Sequence, residues 1–483
     1  MVRMHLELPR LLDQIVRELH AAGYRAVVVG GAVRDALLIH ELGGEPKDFD
    51  IEVYGIAYDR LAGILARHGR VDLVGKSFGV VKLVARENQG GHEYDFSVPR
   101  RDSKLGLKHR DFQTTFDPAI TPRESASRRD FTINAMAYDP VADELLDFFG
   151  GLEDLKNRVL RATSDAFAED PLRVLRGMQF ACRFDLTLEP GTAGMCQSIV
   201  DHYATIARER VADEFMKWAV KSPRPGRIAA YLKASGWDVH FPEIGRLAGV
   251  PQDPGWHPEG DVGTHTMFVV DAAARIAFRE DAREKFEGDD RAVLIFAALC
   301  HDFAKATTTM QREREGKMRW TSWGHEADGG PMAKAFLDRI GIKSAITDRV
   351  VPMVENHLAS SSIGREATPR AVRRLAMRLA PATITDLLRL IEADYSGRPP
   401  LPTGLPEGAI RIREMAEAQA VVHGPQAPLI LGRHVMPYFD SQPGKHIGEV
   451  TAAAYEAQAD GAFSNLEEAL QWLERYMARE STG

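Results

Sequence analysis

The sequence predicts a mixed α/β domain at the N-terminus followed by an all-helical remainder. Short β-branched runs (Ala26–Gly31, Asp48–Ile56, Val80–Ala85, Glu93–Val98) alternate with amphipathic helical spacing over the first 150 residues. From Gly151 onward strand signals fade and helical spacing with long polar faces dominates. The length, 483 residues, is too great for one ordinary core and predicts two to four domains. Two turn-rich stretches, Gly249–Gly263 and the proline-rich Tyr395–Gly408, read as boundaries. The expected division is a head at 1–150, a helical body at 151–250, a second helical domain at 251–400 and a helical tail at 401–483.

Composition narrows the class. A hydrophobic fraction of 44% with 27% charged residues describes a soluble globular chain. No apolar run approaches a membrane span, and the N-terminal residues lack the apolar stretch of a signal peptide, so no membrane association is expected. Cys182, Cys196 and Cys300 lie in apolar surroundings without C-x-x-C spacing. They read as core thiols in a reducing cytoplasm, not as a disulfide framework or zinc site. A net charge of −8 argues against indiscriminate coating of nucleic acid and leaves room for a local basic groove. Oligomeric state has no signal here.

In the head, Val27-Val28-Val29-Gly30-Gly31-Ala32-Val33-Arg34-Asp35 reads as strand, tight turn and helix. Glycines there let backbone N–H groups approach phosphate oxygens, and Arg34 adds a charged fork. Val74-Gly75-Lys76-Ser77 imitates the end of a phosphate-binding P-loop, but Arg70 stands where its first glycine is required. That reading is rejected. In Asp48-Phe49-Asp50 the two carboxylates project to one face of a strand, where they repel unless a cation lies between them. Magnesium, a hard ion preferring oxygen ligands, answers that need. Asp95, in a further strand-like run, is the candidate third carboxylate, and three can serve two ions in an in-line phosphoryl displacement.

Gly30-Gly31-x-x-Arg34-Asp35 followed by Asp48-x-Asp50 resembles the head of the polymerase β-like nucleotidyltransferases. Within them it is similar to class II tRNA nucleotidyltransferases and bacterial poly(A) polymerases. The likeness continues through Arg128-Arg129-Asp130-Phe131-Thr132-Ile133-Asn134-Ala135 and Glu169-Asp170-Pro171-Leu172-Arg173-Val174-Leu175-Arg176. The resemblance implies magnesium on Asp48 and Asp50, with Asp95 completing the set. It implies triphosphate contacts from Gly31 and Arg34 and nucleotide support from Arg129 and Asp130, with Gly30, Asp35, Asn134 and Arg176 also in the nucleotide-binding set. Asp170 and Arg173, three apart and expected on one helix face, would pair with the Watson–Crick edge of the incoming base. The charged segment between Arg100 and Asp117 corresponds to the family's flexible loop, which helps switch from C to A addition. CTP, ATP and tRNA are the implied partners.

The second helical domain carries His265, His301-Asp302, His325, His357 and Asp394. Histidine nitrogens mixed with carboxylate oxygens suit a divalent metal that activates water. The spacing resembles the HD phosphohydrolase superfamily, which implies magnesium, manganese or nickel there. In relatives with this domain the substrates are 2′-nucleotides and 2′,3′-cyclic phosphates. The tail, Pro428 to Gly461, resembles the C-terminal segment of class II enzymes, implying a hold on the tRNA elbow. Poly(A) addition shares every head motif and stays open; the lack of a basic C-terminal extension favours CCA. A phosphohydrolase with an RNA-binding head is the alternative from another class, opposed by the intact Asp48, Asp50 and Arg173.

Overall fold

The structure is a computed structural model describing residues 2–38, 48–73, 79–85, 92–104, 112–117, 119–279, 286, 288–439 and 444–480. At 2–3, 101–104 and 112–116 only the backbone is described. Pro46-Lys47, the P-loop imitation at 74–77 and the centre of the charged segment, 105–111, lie outside the described residues. The chain divides into two compact units: Met1–Trp218 with Arg227–Phe241, and Ala219–Gly226 with Pro242–Gly483. The divisions expected at 150 and 400 run inside these units.

The first unit is built on an eight-stranded mixed sheet. Its strands are β1 (Val2–Arg3), β2 (Arg25–Val29), β3 (Asp50–Tyr54), β4 (Gly69–Asp72), β5 (Val80–Ala85) and β6 (Glu93–Ser97). A separate ladder pairs β7 (Arg100–Lys104) with β8 (Phe112–Phe116), and the main sheet is completed by β9 (Ala137–Asp139) and β10 (Glu144–Leu146). The order is β1-β10-β9-β2-β3-β6-β5-β4. The helix Arg10–Ala21 buries Leu11, Leu12, Ile15, Val16 and Leu19, a stripe at helical spacing. The segment expected to be a loop thus has paired arms, Arg100 opposite Phe116 through Lys104 opposite Phe112.

Two pairings position chemistry. β2 runs antiparallel to β3 with Val29 opposite Asp50, so the glycine turn after Val29 emerges beside that carboxylate. β3 runs parallel to β6 with Asp50 opposite Asp95. Behind the sheet, Phe131 packs edge-on against Phe167 and Phe180, joining the Arg128–Ala135 segment to the helix Leu172–Phe184.

The second unit centres on the helix Gly288–Cys300, buried at every position from Ala292 to Cys300. A helix apolar all round belongs inside a bundle. Around it lie Val262–Ala277, His325–Ile340, Ser344–Asn356 and Ile384–Ser396. A hairpin, Met310–Arg314 with Lys317–Thr321, interrupts the expected run of helices. Its turn places Glu315 and Gly316 at φ of 51° and 72°, the left-handed pair that two-residue hairpin turns require. The tail has its own small core around Val450, Phe463, Leu473 and Met477. All three cysteines are buried and free. No helix among the described residues is long and apolar enough to cross a membrane.

Candidate active sites

A cavity of about 450 Å³ in the first unit is lined by Gly30, Gly31, Asp50, Asp130, Asn134, Asp170, Phe180 and six arginines: 34, 128, 129, 173, 176 and 210. Gly30 holds φ at 72°, and a Cβ there would lie 2.8 Å from the Arg129 guanidinium. The positive φ reserves the position for glycine, and any side chain there would also displace the Arg129 guanidinium. Although the Asp50 residue opens onto the cavity, its carboxyl is raised from the ordinary value. Desolvation in the concave site is the largest cause; Arg129 opposes it, while Asp95 and Asp48 add to it. One oxygen of Asp95 is buried without a hydrogen-bond partner among the described residues. A carboxyl raised by burial and by two neighbouring carboxylates, with an orphaned buried oxygen on one of them, fits a hard divalent cation.

The arginines are fixed by a polar network. Arg34 is buried, donates to Asp35 Oδ1 at 2.7 and 2.8 Å and to the Asn134 side-chain oxygen, and stacks on Phe184 at 4.4 Å. Asn134 in turn donates to Asp130 at 3.0 Å, and Arg176 grips Asp130 through two nitrogens at 2.8 Å. Burial opposes the Asp130 charge, but Arg176 and the hydrogen bonds from Asn134 and the Phe131 N–H outweigh it and hold the carboxyl below its usual range. Asp35 is not among the cavity-lining residues; it orients Arg34 from behind.

Asp170 and Arg173 both line the cavity, though not from one helix face. Asp170 is extended, at φ −126° and ψ 105°, and the helix begins only at Leu172. Pro171 is the reason, because the residue before proline is driven out of the helical region. Arg173 donates to the carbonyl oxygens of Ala166 at 2.6 Å and Arg128 at 2.8 Å. Asp170 accepts from the Leu172 N–H at 3.0 Å and sits 3.4 Å from Arg210. The sequence reading missed Arg128 and Arg210 as wall residues; only the charge density of Arg208-Glu209-Arg210 hinted at the latter.

In the second unit the six expected residues converge. Asp302 Oδ2 lies 3.1 Å from His301 Nε2 and 3.7 Å from His265 Nε2, which is 3.1 Å from Asp394 Oδ1. Its other oxygen lies 3.3 Å from His325 Nε2 and 3.9 Å from His357 Nε2. Asp302 therefore bridges two ligand groups, His265 with His301 and Asp394, and His325 with His357.

The histidine tautomers follow from the backbone. Nδ1 of His301, His325 and His357 contacts the carbonyl oxygens of Ala298, Ser322 and Val354 at 2.8, 2.6 and 2.6 Å. A carbonyl oxygen only accepts, so each Nδ1 carries the proton and each Nε2 is left as the ligand atom. The His325 and His357 Nε2 atoms are 3.1 Å apart. Burial, with His325 and His301 nearby, pushes His357 down to about 3, so this imidazole is neutral and its Nε2 offers a lone pair. His301 Nε2, His265 Nε2 and both Asp302 oxygens are buried without an aligned hydrogen bond among the described residues. This donor set fits borderline divalent metals.

Two supporting residues escaped the sequence reading. Glu259, fully buried, lies 2.7 Å from His265 Nδ1 and 2.9 Å from His257 Nδ1. Burial opposes its charge, yet His257 and His265 bring it down to about 2. Burial likewise opposes a charge on His265, while Asp394 and Glu259 raise it to about 9. Asp302 is held ionised against burial by His301 and Lys305, whose Nζ is 2.8 Å away.

Residues 26–161 match the family model of the poly A polymerase head domain, and residues 262–393 match the HD domain. The multifunctional CCA protein of Burkholderia mallei is 32% identical over 417 residues, 84% of this chain and 93% of that protein. That of Paracidovorax citrulli is 33% identical over 385 residues, 77% and 83% of the two chains. The crystal structure of the Bacillus stearothermophilus CCA-adding enzyme in complex with CTP shares the fold, with TM-score 0.63 and 22% identity over 99% of this chain and 100% of that one. The Thermotoga maritima CCA-adding enzyme complexed with tRNA gives 0.55 and 19% over 98% and 97%. On the sequence identity across most of both chains, this protein belongs to the class II CCA-adding enzyme family, in the form that carries an HD domain.

Proposed function

We propose that this protein adds CCA to the 3′ end of tRNA from CTP and ATP at the head cavity, and hydrolyses phosphoesters in its HD domain. The observation that carries the first activity is the convergence of Asp50 and Asp95 on paired strands beneath a wall of six arginines. Asp48, Asp50 and Asp95 would hold magnesium, which when bound neutralises charge on the attacking and leaving oxygens. Gly30 and Gly31 offer backbone N–H groups to the triphosphate, and Arg34, fixed by Asp35 and Asn134, adds a charged fork.

Base choice belongs to Asp170 and Arg173. A carboxylate accepts from the exocyclic amino group that cytosine and adenine share, while the guanidinium, pinned by two backbone carbonyls, directs its remaining N–H groups to ring acceptors. Uracil and guanine present a carbonyl where the amino group should be, leaving buried acceptors opposed. The decisive experiment offers tRNA lacking its 3′ end with labelled CTP and ATP and sequences the product. CCA is expected; a homopolymeric A tail would install the poly(A) reading.

The HD reading rests on the two ligand groups joined by Asp302. Of magnesium, manganese and nickel, the imidazole-rich donor set favours the two transition metals, and one bound there would supply Lewis acidity toward a phosphoester and lower the pKa of water. Lys305, beside Asp302, is placed to meet phosphate oxygens. Similarity to HD phosphohydrolases supports 2′-nucleotides and 2′,3′-cyclic phosphates as substrates, which suits removal of blocked RNA ends before tailing. Buried free thiols support a reducing, cytoplasmic setting.

A further inference from the structure

Beside the histidine–aspartate cluster lies a second cavity of about 410 Å³, whose lining includes His257, Lys305 and His325. Three of the chain's six tryptophans, Trp256, Trp320 and Trp323, line it too. Trp256 is 66% exposed and Trp323 is 55% exposed, an unusual cost for the largest apolar side chain. They come from separate places in the sequence: Trp256 from the turn-rich stretch before the helix Val262–Ala277, Trp320 from the hairpin, and Trp323 from the residues just after it. The Arg312 and Arg314 guanidinium groups stand 4.2 and 5.3 Å from the Trp323 ring centroid, so cations flank that indole.

We propose that this cavity is a nucleobase subsite of the HD domain. The substrate is a nucleoside phosphate whose base stacks on the tryptophan wall while its phosphate reaches Lys305 and the histidine–aspartate cluster. Indole faces stack on any base, and each such contact contributes substantially to binding without demanding a sequence. The hairpin adds the second half of the recognition. Between Arg312 and Arg319 it carries four cations against two carboxylates, a charge that complements the phosphates of a strand leading to the hydrolysed end. A pocket built only for a small phosphoester would need neither the indoles nor the cations. The proposal rests on the hydrolytic reading for the chemistry and on the tryptophan wall for the base.

The test compares adenosine 2′,3′-cyclic phosphate with methyl ribofuranoside 2,3-cyclic phosphate, which keeps the ester and lacks the base. With metal-replete protein, Trp323→Ala and Trp256→Ala should each raise KM for the adenosine ester by roughly ten- to a hundredfold with kcat little changed. Trp323→Phe should recover most of the loss, and the base-free ester should respond to neither variant. Tryptophan fluorescence gives a reading without turnover: adenosine 2′-phosphate should quench it in the wild type and less in Trp323→Ala. No tryptophan lines the head cavity, so nucleotide bound there does not stack on an indole. Equal KM values for the two esters, or quenching unchanged by both alanine variants, would overturn the subsite. Quenching without hydrolysis under any metal would keep the subsite and remove the hydrolytic reading.

Discussion

The two candidate metal sites of this chain are built in opposite ways. The head places Asp50, the first residue of β3, in the lining of an open cavity, and much of the remaining wall is arginine. The HD site buries histidines near helix ends and orients three of them, His301, His325 and His357, by tying Nδ1 to a backbone carbonyl. The difference follows from the ions. Magnesium keeps waters and binds through a few carboxylates together with substrate phosphates, so its site is completed by the nucleotide. A borderline metal on imidazole nitrogens is held by the protein itself. On the proposed assignment, the head metal would come and go with substrate and the HD metal would stay.

The largest expected effect separates the sites outright. Asp50→Ala should lower nucleotide incorporation by at least about a hundredfold, the cost of removing charge stabilisation at a transition state. Hydrolysis of a 2′,3′-cyclic nucleotide by the same preparation should be unchanged. Near-normal incorporation with magnesium present would end the carboxylate assignment.

The reciprocal variant, Asp302→Ala, removes the bridge between both ligand groups and should eliminate hydrolysis while CCA addition continues. Loss of both activities together would show instead that Asp302 holds up the fold. A smaller effect is expected at the base-reading pair. Asp170→Ala and Arg173→Ala should raise misincorporation of UTP and GTP more than they slow correct addition. Because Arg173 also ties down two backbone carbonyls, Asp170→Ala is the cleaner variant. Unchanged selectivity in both would leave these residues as scaffold.

Smallest is Glu259→Gln, which weakens the orientation of His265 without removing a ligand. Metal affinity should fall by roughly tenfold to a hundredfold, the usual range for such supporting partners. A competition titration against a chelator measures it, and unaltered affinity would make Glu259 a buried counter-charge only.

What could be read from the sequence tracks how local each feature is. Asp48-x-Asp50 and His301-Asp302 are short-range patterns whose chemistry shows in two or three letters. The pairing of Asp50 with Asp95 depends on β3 and β6 lying side by side, which no local pattern states. The family motif implies Asp170 and Arg173 on one helix face, but Pro171 keeps Asp170 extended and outside the helix. Glu259 and Trp256 fall in the stretch read as a domain boundary, where turn residues mask a wall of the site. The hairpin at 310–321 is hard to read because its first arm carries charge at Arg312, Glu313 and Arg314, and only Met318 and Trp320 on the second arm alternate.

The most direct test of two independent metal sites is elemental analysis and activity on one preparation treated with a chelator. The untreated protein should contain a tightly held transition metal. Its removal should abolish 2′,3′-cyclic nucleotide hydrolysis, and added magnesium should restore full CCA addition without restoring the lost metal. Contradiction would be a protein whose two activities fall together with the transition metal and return together when it is supplied.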